Sequence, residues 1–200
     1  MLRAAGESET GVTRGSIRMH PTVFQQVLRA PFFNLPESLR ALHGIRGDGV
    51  WVGRATVERG RNPLAWLCAV ATRLPPSMTD VRTRVEFSAD GDREIWRRDF
   101  GGRKMVSTLY CRDGLLCERL GLVQFRFALH AWDGTIFWNV DGVRLLGLLP
   151  LPAGLFSGVQ CREREREGRY EFEVEAKLPL IGRLIRYQGW LEPGGCLEPG

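Results

Sequence analysis

The sequence predicts an α+β domain: a long, curved antiparallel sheet, a meander of about eight or nine strands, wrapped around one apolar helix and preceded by N-terminal helices. Three observations predict it. Turn signals, a glycine after Asp, Glu or another Gly, recur at Gly91, Gly102, Gly114, Gly134, Gly142 and Gly168, with runs of alternating apolar and polar residues between them. No helical periodicity falls between those runs, which argues against βαβ units and a parallel sheet. Residues 62–74, by contrast, are apolar almost all round, as in a helix buried against something broad.

Pro21 opens the helical stretch, since its missing N–H would lack a partner in a first turn anyway. Phe24, Val27 and Leu28 share a face, Pro31 interrupts, and PESLRALHG then places Leu39 and Leu42 together before Gly44 stops it. Residues 50–59 alternate as a strand. Asn62 caps the third helix, Pro63 occupies its first position, and Pro75 and Pro76 end it. Residues 1–18 read as a flexible leader, 19–192 as a single domain, and 193–200, which repeats LEPG, as a disordered tail. The apolar, Gly- and Pro-broken segment 143–158 reads as core tucked under the sheet, with the lid of a cavity as its alternative.

Composition bounds the function. The 28 basic and 23 acidic residues give a net charge of +5, and only Lys104 and Lys177 among the basic residues are lysine. The arginines alternate with acids, as in REREREGR, so no basic stripe follows a phosphate backbone and nucleic acid is not an expected partner. Five scattered cysteines without a CxxC pair, and a first stretch lacking an apolar signal core, predict a cytoplasmic protein. The longest apolar run, residues 145–156, is too short for a membrane span of about 20 residues. His20, His43 and His130 lack metal-ligand spacing, and GRGRNP lacks the context of a dinucleotide fingerprint, so no metal or cofactor is expected.

Period two sorts the strand faces. Val123, Phe125, Phe127 and Leu129 point one way, as do Tyr170, Phe172, Val174 and Ala176, and as do Ile136, Trp138 and Val140. CREREREG is charged on both faces and reads as a solvated ribbon without chemistry. EIWRRDF departs from the pattern: Trp96, Arg98 and Phe100 share one face, so Arg98 lies between aromatics where burial demands a partner or a ligand anion. Glu118, between Leu116 and Leu120 on another apolar face, is the candidate partner. Arg98 is either half of a buried ion pair or the cationic head-group site of an apolar pocket. On RLIRYQGWL, Tyr187 shares a face with Ile185, Gly189 and Leu191 and supplies a hydroxyl that needs a partner if buried, and His43 sits at a helix end where an imidazole is ordinary.

The ordered series WVGRATVERG, NPLAWLCAVATRLPP, WRRDFGGRKMVS, CERLGLVQFRF, LLGLLPLP and LPLIGRLIRYQGWLE resembles the bacterial domain-of-unknown-function family 4166 over nearly the whole domain. The resemblance places Arg59, Trp96, Arg98, Glu118 and Tyr187 on signature positions. It implies a bacterial cytosolic module linked to an oxidoreductase, because such domains often follow saccharopine-dehydrogenase-like Rossmann domains. The resulting expectation is a non-catalytic binding module for a small hydrophobic or amphipathic anionic ligand, with Arg98, Glu118, Tyr187, Trp96, Arg59 and His43 around it. The alternatives are an enzyme using Arg98, Glu118 and Tyr187 or His43 as an acid–base set, and a protein-interaction domain with no pocket that presents residues 145–156.

Overall fold

Thr22 and Gln25 start the first element reciprocally. The Gln25 N–H donates to the Thr22 hydroxyl at 3.4 Å and the Thr22 N–H to the Gln25 side chain at 3.0 Å, which fixes the entry of α1 (Val23–Leu28). A tight helical turn (Ala30–Asn34) and α2 (Glu37–His43) follow, and Gly44 ends α2. Later, the Asn62 side chain accepts the Leu64 N–H at 2.9 Å and caps α3 (Pro63–Ala71), with Pro63 in its first turn. The computed structural model describes residues 20–194; the expected leader and the tail beyond Gly194 lie outside the described residues.

Strands make up the rest: β1 (Gly47–Arg59), β2 (Met78–Ala89), β3 (Arg93–Phe100), β4 (Arg103–Arg112), β5 (Leu115–Leu120), β6 (Val123–Trp132), β7 (Thr135–Leu145), β8 (Leu149–Leu151), β9 (Gly158–Arg166), β10 (Arg169–Leu178) and β11 (Gly182–Pro193). All pair antiparallel, in the order β6-β5-β4-β3-β2-β1-β11-β10-β9-β7, and β6 pairs with β7 again. Ten strands therefore close into a barrel, while β8 hangs on the last residues of β7.

This closure corrects the expected α+β architecture of an open curved sheet wrapped around a helix. The interior is filled by inward side chains of the strands together with those of the N-terminal helices. The apolar helix therefore lies across one end instead of inside. Only Ala65 and Ala69 of α3 are buried, whereas Leu64, Trp66, Leu67 and Val70 face outward. The expected core segment 143–158 is corrected likewise: it supplies the end of β7, β8 and a tight turn (Ala153–Phe156), with Leu146, Leu148, Leu149 and Leu155 exposed.

Two apolar clusters fill the barrel. Toward one end, Phe24, Leu28, Phe32, Leu39 and Leu42 from the N-terminal helices meet the barrel residues Trp51, Phe87, Trp96, Phe127 and Trp138. Toward the other, Ala65 and Ala69 of α3 meet Val57, Phe100, Met105, Leu184 and Ile185. The β1–β11 pairing needs glycine at two places. A Cβ on Gly53 would lie 1.9 Å from the Trp190 carbonyl oxygen, and one on Gly189 would lie 2.2 Å from that of Arg54, so the two strands approach closer than any side chain permits.

Candidate functional site

Arg98 is the centre of the polar interior. It stands on β3 opposite Met105 of β4, pointing inward between Trp96 and Phe100, and is only 9% exposed. Its Nη1 donates to the Ser107 hydroxyl on β4 at 2.8 Å, and its Nη2 reaches Glu118 Oε1 on β5 at 3.5 Å. The guanidinium also lies 4.7 Å from the centre of the Trp96 ring, in cation–π range. Strand alternation produces this set: Ser107 and Glu118 occupy inward positions on successive neighbouring strands, so one long side chain spans both. The ion pair expected between Arg98 and Glu118 is present.

Between the two apolar clusters lies a cavity of about 70 Å³ whose wall includes Arg98, Glu118, Tyr187, Trp96, Trp138 and Phe127. Cys161, Glu163 and Tyr170 complete its polar side. Four of the six expected site residues thus converge: Arg98, Glu118, Tyr187 and Trp96. His43 adjoins the wall from α2, reaching Glu163 with its Nε2 at 2.7 Å. Its ring is stacked on Phe24 with centroids 3.7 Å apart. Arg59 is not brought to the cavity; it ends β1, where its backbone N–H donates to the Ser77 hydroxyl at 2.9 Å.

Glu163 is the residue that sequence reasoning missed. It belongs to CREREREG, expected to be solvated throughout, yet it is buried inside the barrel. Only the arginine face of that strand is solvated: Arg162 and Arg164 pair with Glu173 and Glu171 on the outside of β10. The available signal was register, since Glu163 shares its face with Cys161 and Val159, both packed against the core. Its carboxyl meets His43 Nε2, and Glu165 of the same face accepts the Ser38 N–H at the start of α2 at 2.8 Å.

Burial sets the acid–base character of the interior. Desolvation pushes the Tyr187 and Tyr170 hydroxyls and the Cys161 thiol well above their ordinary values, with Glu163 reinforcing the shift in each. The Arg98 charge opposes it without prevailing. Glu94, on β3 under α1, is also raised by burial, although the Trp96 indole N–H donates to its Oε2 at 3.0 Å. Not every wall group is occupied. Among the described residues the buried Trp138 indole N–H has no hydrogen-bond partner, and neither has His43 Nδ1.

A family model described as a domain of unknown function, DUF4166, matches residues 35–191, from the end of the N-terminal turn through β11. The chain belongs to this family. The match takes in every cavity residue named above. No curated protein matches the chain. Among solved structures, Rv2717c from M. tuberculosis is similar at 13% identity and a TM-score of 0.43, covering 80% of this chain and 99% of that one. A likeness that distant carries no argument about the DUF4166 site.

Proposed function

We propose that the barrel is a non-catalytic binding module whose cavity takes a small amphipathic molecule with an anionic group directed at Arg98. The observation that carries this reading is an imbalance of donors in the wall. Both carboxylates there have partners, Glu118 in Arg98 and Glu163 in His43. Two donors in the wall have bonding capacity to spare. Arg98 offers five N–H groups and gives one short bond to Ser107, while its contact with Glu118 is longer than the about 2.7–2.9 Å of a good charge-assisted bond. The Trp138 indole N–H, in the same wall, is unsatisfied. An acceptor-bearing ligand would use both.

Size narrows the ligand class. Drug-sized sites enclose about 300–1,000 Å³, so a cavity of about 70 Å³ suits a molecule of few heavy atoms, with a short apolar body against Phe127 and Trp138. Burial raises the two tyrosines and the cysteine in the wall further above neutral pH, which makes them poor general bases and supports binding over catalysis by these groups. The oxidoreductase link rests on family resemblance and has no feature of the cavity behind it.

The test is native mass spectrometry of the protein purified from its own host. A small acidic molecule is expected on the parent. Arg98→Ala alone leaves Glu118 buried without its partner and is expected to cost about 3 kcal/mol. The double variant Arg98→Met with Glu118→Gln removes both charges and is expected to fold and to lose the molecule. Retention of the same molecule by the folded double variant, or a parent that carries none, would overturn the reading.

A further inference from the structure

The turns at the two ends of the barrel differ in the side chains they place at positive φ. Asp113, Asp133 and Glu167 have φ of 55°, 47° and 53° in the hairpins at the end covered by the N-terminal helices. At the α3 end positive φ falls on Arg73 at 55° and Asp80 at 49°, and also on two leucines, Leu146 at 55° and Leu180 at 63°. Glycine, asparagine and aspartate tolerate that region, while a leucine is strained in it. Neither leucine is compensated by burial: Leu146 is largely exposed and Leu180 wholly so. Leu148, 84% exposed, and Leu122 in the β5–β6 turn project from the same end. α3 adds Leu64, Trp66, Leu67 and Val70 on its outward face.

Arginines outnumber acids around these leucines, although Glu58 and Glu175 are also here, paired with Arg183. Arg61, Arg73, Arg103, Arg119 and Arg144 all lie at this end, all exposed. Among the described residues none of the five is in an ion pair, unlike Arg183 at the same end. We infer that the α3 end docks on the surface of an anionic lipid bilayer, with the turn leucines and the outer face of α3 entering the head-group region and the free arginines meeting lipid phosphates.

Shape and charge favour lipid over a protein partner. The apolar side chains protrude from separate turns around a helix, and a fluid interface accepts isolated protrusions that a rigid partner would have to match one by one. A tryptophan on the outer face suits the head-group level, and unpaired arginines suit its negative surface potential. The ion pairs on the barrel wall keep the strands in water, opposite to the apolar outer band of a spanning barrel, so contact is end-on. No helix among the described residues is long and apolar enough to cross a membrane, and end-on seating requires none.

Flotation with vesicles tests this, independently of any cavity ligand. The parent is expected to float with vesicles of equal parts phosphatidylglycerol and phosphatidylcholine, and weakly with phosphatidylcholine alone. Leu146→Asn with Leu180→Asn is expected to lose about tenfold in binding while melting at the same or a higher temperature, because asparagine accepts the left-handed backbone at 146 and Leu180 buries nothing. That second readout separates lost insertion from lost folding. Arg73→Gln with Arg144→Gln is expected to lose about tenfold on the anionic vesicles and to bind both compositions alike. A parent that stays unbound, or a leucine variant that binds as the parent does, would overturn the inference. So would recovery of the parent with a protein partner and never with vesicles, which would assign the end to protein docking.

Discussion

The two ends of the barrel solve one problem, how to stop a cylinder of strands, by opposite means. At one end the N-terminal helices bury large side chains inside the wall. Phe24 is fully buried, stacked on His43 and within 6 Å of Trp96 and Trp138. At the other end α3 rests on two alanines and turns its large side chains outward. The first end is closed by interdigitation. The second is covered by close approach of small residues, Ala65 over Gly60, with little apolar area committed to the barrel. A helix of uniform apolarity therefore does not reveal whether it is core; the size of the residues on its contact face does.

Substitutions can break or sharpen this contrast. The largest effect is expected at the interdigitated end: Phe24→Ala should cost about 4 kcal/mol by emptying a site bounded by His43, Trp96 and Trp138, read as a lowered denaturation midpoint. A smaller, pH-dependent effect is expected from Glu94, buried beneath the same helices. Its carboxyl titrates above the ordinary 4.5 in the folded protein because of burial, so the folded state keeps a proton that the unfolded chain releases. Stability from this group is present below pH 4.5 and is lost as pH rises to the folded value. Glu94→Gln should therefore melt above the parent at neutral pH, and the difference should close in acid; a difference constant with pH would refute this. The smallest effect is expected at the α3 end. Trp66→Ser should change unfolding free energy by no more than about 0.5 kcal/mol despite removing the largest side chain in the helix.

Much of the barrel wall was legible in the sequence because strand periodicity is local. The faces of β6, β10 and β11 follow alternation, and the convergence of Arg98, Glu118 and Tyr187 follows from those faces once the strands are neighbours. Closure was not legible. A meander of hairpins reads the same whether its first and last strands meet or diverge, and the β1–β11 pairing joins residues more than a hundred positions apart. α3 was misread because its apolarity suggested enclosure, when four of its large residues are outward. Glu163 was hidden by its neighbours. In CREREREG every second residue is charged on either face, so nothing local distinguishes the glutamate that meets His43 from those that meet water.

The β1–β11 pairing also bears on how the protein is made. β1 leaves the ribosome before any other strand, yet one of its two edges is satisfied only by β11, the last barrel strand synthesised. Until then nine antiparallel strands form an unsealed sheet with an open hydrogen-bonding edge on β1 and another on β10. Such edges recruit foreign strands, and closing so long a loop is slow. The nascent chain thus carries its greatest aggregation hazard late in synthesis, and a ribosome stalled anywhere before Gly182 would leave that hazard standing.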